Sequence, residues 1–251
     1  MTEPSKAATP VLKTKDRIIV ALDVETVDKA QAIVNEIGDL AGAFKIGLQL
    51  FTSAGPEFVR EMTSSGVKIF LDLKFHDIPT TVAKASVEAA RLGVWMFNMH
   101  ASGGREMMLT AADAVREFCQ IEGREMPIML GVTLLTSSNT TTLNEAGIEL
   151  SVEEQVVKLA KDAAATGLSG VVASAHESAA VKAAVDKEDF VIVTPGIRPK
   201  SETNDDQKRV MTPAEAFAAG SDYLVIGRPV IRASDRRAAI VKMLEEIGSA
   251  N

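Results

Sequence analysis

The chain has 251 residues, 46% apolar and 24% charged, the balance of an ordinary globular protein with room for one large domain or two small ones. Its net charge of −7 argues against general affinity for nucleic acid or anionic membranes, which basic surfaces attract, so a bound anion needs a locally basic pocket. The single cysteine, Cys119, excludes an internal disulfide and falls in the helical-looking stretch REMMLTAADAVREFCQ, where a buried and inert thiol is expected.

The opening MTEPSKAATPVLKTK, residues 1–15, lacks the apolar centre of a signal peptide and reads as a mobile tail. No later run is long and apolar enough to span a bilayer, so a soluble, cytoplasmic protein is expected. From there eight β-branched or apolar runs follow at even intervals: RIIVALD, AFKIGL, KIFLDLK, WMFNMH, PIMLGVTLL, GVVASA, FVIVTPG and DYLVIG. Between them lie segments of helical period such as VDKAQAIVNEI, TTVAKASVEAARLG, SVEEQVVKLAKDAAATG and RRAAIVKMLEEIG. Strand alternating with helix implies parallel pairing, because each return to the same end of the sheet needs a crossover. Eight such units in residues 16–251, with no linker or shift in composition, predict a single-domain (β/α)8 TIM barrel. A doubly wound open sheet shares the local pattern, but the first strand runs into ALDVET without a glycine-rich dinucleotide turn. The longest irregular segments are TSSNTTTLNEAGIEL after the fifth strand and IRPKSETNDDQKRVM after the seventh.

Barrel active sites gather at the C-terminal strand ends. Here Asp23 closes the first strand, Lys45 lies in the second, Asp72 and Lys74 close the third, and His100 ends the fourth. Thr136 follows the fifth, Arg198 the seventh, and Gly227 with Arg228 the eighth. Asp72 and Lys74, two apart in a strand, leave the same face with α-carbons about 6.5 Å apart. With Asp23 and Lys45 on the preceding strands they form an alternating ring, in which each contact at about 4 Å is worth on the order of 4 kcal/mol before desolvation. Such a ring is either a salt-bridged plug of the barrel mouth or a ligand-facing array. Asp77, beyond the strand in FLDLKFHDIP, sits where an acid commonly caps the next helix. TPGIRP and IGRP, after the seventh and eighth strands, combine glycine for close backbone approach with the arginines Arg198 and Arg228, a phosphate-binding arrangement. Gln207, in SETNDDQKR, is either a solvated loop residue or part of a flap over such a ligand. His76, His100 and His176 show no paired spacing, so no metal is expected, and His100 reads as a hydrogen-bonding support of its strand end.

VALD, KIG, FLDLKFHDIP followed by Thr81, HASGG, LTS, VTPGIRP and IGRP occur together in an order that resembles the orotidine 5'-phosphate decarboxylases, in a bacterial form, over nearly the whole chain. The DxKxxD element alone is shared with a wider group of barrels; its company with KFHDIP, TPGIR and IGRP carries the resemblance. The resemblance implies conversion of orotidine 5'-phosphate to uridine 5'-phosphate and carbon dioxide, the last step of UMP synthesis, with no cofactor and no metal. It implies Lys74 as the acid that protonates C6, Asp72 beside the departing carboxylate, and Lys45 completing the catalytic array with Asp77. In the family the residues matching Asp77 and Thr81 come from the partner subunit, which implies a homodimer. Asp23 and Lys45 would contact the ribose, Thr136 the pyrimidine, and Gln207, Gly227 and Arg228 the phosphate, with Arg198 in the same surface. Thr80 stands where asparagine is often expected, a departure that touches none of these roles. The competing readings are a related magnesium-dependent barrel decarboxylase or sugar-phosphate aldolase, and a catalytically silent phosphate-binding barrel. The silent reading would be favoured by a missing charge in the array, and none is missing.

Overall fold

The computed structural model describes residues 14–199 and 211–248. Eight parallel strands close into a barrel in sequence order: β1 (Ile18–Ala21), β2 (Ala43–Gly47), β3 (Ile69–Phe75), β4 (Met96–His100), β5 (Ile128–Val132), β6 (Gly170–Val172), β7 (Val191–Thr194) and β8 (Tyr223–Ile226), with β8 pairing back onto β1. The crossovers carry α1 (Val27–Ile37), α2 (Leu48–Ser64), α3 (Pro79–Arg91), α4 (Arg105–Glu122), α5 (Thr140–Glu145), α6 (Val152–Ala165), α7 (Ala175–Ala184) and α8 (Pro213–Ala218). The short α9 (Arg228–Ile231) and α10 (Arg236–Gly248) follow the last strand. No described helix is long and apolar enough to cross a membrane.

Side-chain alternation along each strand divides the core into two clusters. Ile18, Val20, Phe44, Ile46, Leu71 and Phe97 face the helices, while Ile19, Ala21, Ala43, Phe70, Met96 and Val225 fill the barrel. The same period sends Asp23, Lys45, Asp72 and Asn98, each two residues beyond an inward apolar residue, into the layer at the barrel's C-terminal mouth. Apolar packing below thus sets the direction of the polar residues above.

Local chemistry sets the helix ends. Thr26 caps α1 by accepting from the Lys29 N–H, and Ser151 and Glu154 form a reciprocal capping box on α6. α4 ends on Gly123 at φ 61°, a left-handed turn that glycine adopts without strain. α2 is broken at Gly55, φ 73°, just ahead of Pro56.

Two sequence expectations change. The segment after β5, read as irregular, contains α5, whose N-cap Asn139 accepts from the Thr142 N–H; its threonine-rich start has low helix propensity and masked the cap. Thr14 and Lys15, at the end of the expected tail, join Asp16 and Arg17 in a 3-10 turn, and Arg17 donates to the carbonyls of Ser221 and Asp222. The polar segment after β7 is bridged at its ends by Ile197 and Met211, and Gln207 lies outside the described residues.

Candidate active site

The inward alternation brings together a continuous chain of opposite charges. Lys45 Nζ lies 3.1 Å from Asp23 Oδ1 and 3.5 Å from Asp72 Oδ2, and Lys74 Nζ lies 2.7 Å from Asp72 Oδ1. The side chains of Lys45 and Asp72 are 10% and 14% exposed, against 57% for Asp23, so the inner pair is held in a partly dry environment where charge-assisted contacts are strong. Burial pushes the Asp72 carboxyl upward, but Lys45, Lys74 and Asn98 outweigh it and hold the group below the usual carboxylate range.

Lys74 is reached by a distortion that the strand pattern did not announce. Leu71 stands opposite Phe97 and Phe75 opposite Met99, so four steps along β3 match two along β4. Within this bulge Lys74 takes φ 54°, the one positive φ outside glycine among the described residues, at a cost on the order of 1–3 kcal/mol. Asp72 and Lys74 still share the inner face, as expected, but as a bulged segment rather than a regular strand. Asn98, not singled out in the sequence, accepts from the Lys74 N–H at 2.8 Å and donates to Asp72 Oδ1 at 2.7 Å.

Two cavities open at the mouth and share Lys45, Pro195 and Val225. The larger, about 310 Å³, has a wall of Asp72, Lys74 and Thr136 on an apolar floor that includes Phe70 and Val172. The smaller, about 150 Å³, is lined by Asp23, Gly196, Arg198, Gly227 and Arg228. A planar ring fits the first in character, and a phosphate group the second. Gly196, at φ 83°, turns the chain after β7 in a conformation that favours glycine.

Gly47 is a second residue that the sequence reading missed. A Cβ there would stand 2.9 Å from Lys45 Nζ, so the absence of a side chain leaves room for the ammonium between its two carboxylates. Gly47→Ala is expected to lower kcat/KM about tenfold, through displacement of one charged group, while the melting temperature stays near that of the wild type. Steady-state kinetics with a thermal melt check this.

Asp77 and Thr81 are not brought into the array; both are exposed. Asp77 does not cap α3, whose N-cap position is held by Ile78 with no side-chain cap bond. Its Oδ1 accepts from the adjacent Ile78 N–H at 2.6 Å. The large apolar side chain of Ile78, next to it, is 64% exposed.

His100 departs from its expected role. It makes no side-chain hydrogen bond among the described residues and instead faces the His76 ring at 5.3 Å. Burial, then His76 and Lys74, lower its pKa, with Asp72 acting in the opposite sense. A histidine whose folded pKa is lowered contributes stability that is complete above its unfolded value near 6.5 and is lost as pH falls below it. Urea melts across pH are therefore expected to show weakening from about pH 6.5 downward, with the Asp72 contribution lost only below the carboxylate range. His100→Asn should remove the first decline and leave the second.

Fold and site together define the class: a (β/α)8 barrel enzyme with an alternating acid–base array beside a basic, glycine-lined compartment. The chain belongs to the orotidine 5'-phosphate decarboxylase / HUMPS family, whose model matches residues 16–243. The orotidine 5'-phosphate decarboxylase of Syntrophotalea carbinolica is 50% identical over 240 residues, which cover 96% of this chain and 98% of that protein. That of Idiomarina loihiensis is 47% identical over 232 residues, covering 92% and 98%. The crystal structure of orotidine 5'-phosphate decarboxylase from Lactobacillus acidophilus superposes with a TM-score of 0.79 at 37% identity, covering 92% of this chain and 98% of the other.

Proposed function

We propose that this chain decarboxylates orotidine 5'-phosphate to uridine 5'-phosphate. The observation that carries the reading is the contiguous Asp23, Lys45, Asp72 and Lys74 array, with Lys74 in the wall of a ring-sized cavity that adjoins the arginine- and glycine-lined one. Breaking the bond from C6 to the carboxylate releases carbon dioxide and leaves an electron pair in the plane of the pyrimidine, where the ring's π system cannot take it up. The Lys74 ammonium stabilises that charge and transfers a proton to C6; the neutral amine is then reprotonated from water. The step uses only side chains of the protein and needs no cofactor or metal.

Asp72 holds Lys74 and faces the departing carboxylate. Asp23 and Lys45 meet the ribose, and Thr136 the pyrimidine. Gly227 and Arg228 hold the phosphate with Gln207, and Arg198 shares that surface. Binding energy collected at the phosphate, remote from C6, is then available to organise the charged array. The working unit is a homodimer in which Asp77 and Thr81 enter the partner's site; their exposure beside the apolar Ile78 supports this. Residues 16–251 act as one catalytic domain, in a cytoplasmic enzyme. Metal-depleted protein in EDTA should consume orotidine 5'-phosphate, followed by its ultraviolet absorbance. Activity restored only by magnesium, or turnover of a sugar phosphate instead, would replace this reading with a related barrel chemistry.

A further inference from the structure

We infer that Asn98 is a positioning residue that holds Asp72 and Lys74 through a single carboxamide. It stands on β4 and is 1% exposed. Its two polar atoms are both committed to the neighbouring strand: Nδ2 donates to Asp72 Oδ1 at 2.7 Å and Oδ1 accepts from the Lys74 N–H at 2.8 Å. The orientation of the amide is unambiguous, since a backbone N–H requires the oxygen and a carboxylate requires the NH2.

The bulge explains why such a residue is needed. With four steps of β3 against two of β4, the Lys74 N–H is taken by this side chain instead of a backbone carbonyl of the sheet. The left-handed backbone at Lys74 persists only if its surroundings over-determine it, and Asn98 supplies a fixed partner inside the barrel. The same amide shares Asp72 Oδ1 with Lys74 Nζ, leaving Oδ2 toward Lys45. Backbone aim and carboxylate orientation are thus set by one group, which touches neither cavity and acts through its neighbours. The catalytic part of this inference rests on the decarboxylase reading.

Two variants test it. Asn98→Ala removes both contacts; kcat should fall about 100-fold, with KM for orotidine 5'-phosphate within about threefold, because the phosphate grip is untouched. Asn98→Asp keeps the shape and the acceptor for the Lys74 N–H but sets a second carboxylate against Asp72. Its kcat should fall about 100-fold near pH 8 and recover as the pH is lowered toward about 5.5, where protonation restores a donor; the wild type should show no such rise. Amide exchange at Lys74 should quicken in Asn98→Ala, a readout that needs no turnover and stands even if the wild type fails to decarboxylate orotidine 5'-phosphate. Wild-type kcat in both variants, a deficit in Asn98→Asp that does not change with pH, or unchanged exchange at Lys74 would overturn the inference.

Discussion

Lys74→Ala is expected to lower kcat for orotidine 5'-phosphate by at least ~10⁴-fold, about 5.4 kcal/mol of transition-state stabilisation, because in the proposed mechanism one ammonium supplies both the charge opposite the nascent carbanion and the proton that quenches it. Neither a neighbouring acid nor water can take its place. Lys45 is committed to Asp23 and Asp72, and the other groups of the array are carboxylates. Binding should survive, because the glycine and arginine compartment does not include Lys74. Uridine 5'-phosphate affinity by calorimetry should stay within about tenfold of the wild type. The fold should also survive, since Asp72 retains Lys45 and Asn98 as partners. Turnover near the wild-type rate would remove Lys74 from the chemistry.

The second large effect concerns Asp77. Asp77→Ala alone is expected to cost roughly 10²–10³ in kcat, as loss of the charged group that the proposed dimer brings to the partner's site. Yet in its own chain Asp77 is exposed, and among the described residues its only hydrogen bond is the one it accepts from the adjacent Ile78 N–H. A mixture of Lys74→Ala and Asp77→Ala chains, each nearly inactive alone, should recover about a quarter of the wild-type activity: about half the dimers are mixed, and each mixed dimer holds one intact site of two. Unfolding and refolding the two variants together, then assaying against each alone, reads this directly. No recovery would place Asp77 in the service of its own subunit.

These effects depend on features of unequal visibility in the sequence. The eight strands were plain because each is a short, β-branched or apolar run between helical periods, and α1 and α10 have the limits their sequence patterns suggest. Asp23, Lys45, Asp72 and Lys74 were visible because charge at the end of an apolar strand is expensive and invites a reason. Asn98 and Gly47 were not. Asparagine within WMFNMH and glycine at a strand end are unremarkable locally, and their importance lies in partners 24 and 26 residues away for Asn98, and in a missing atom for Gly47. His100 was visible but misread, because its ring contact with His76 exists only once β3 and β4 are aligned.

By itself the sequence determined the class of fold, through the alternation of two periods, and the identities of the charges at the barrel mouth, through the two-residue repeat that turns them inward. Tertiary structure alone decided how those charges meet: the closure of β8 on β1, the register that sets Lys45 between Asp23 and Asp72, and the bulge that turns Lys74 into a left-handed conformation. It also decided that Asp77, five residues beyond Asp72, stays outside the array of its own chain. Periodicity is a property of neighbours along the chain, whereas register, bulge and ion pairing are properties of strands brought side by side, where the energy of one contact depends on all the others being formed.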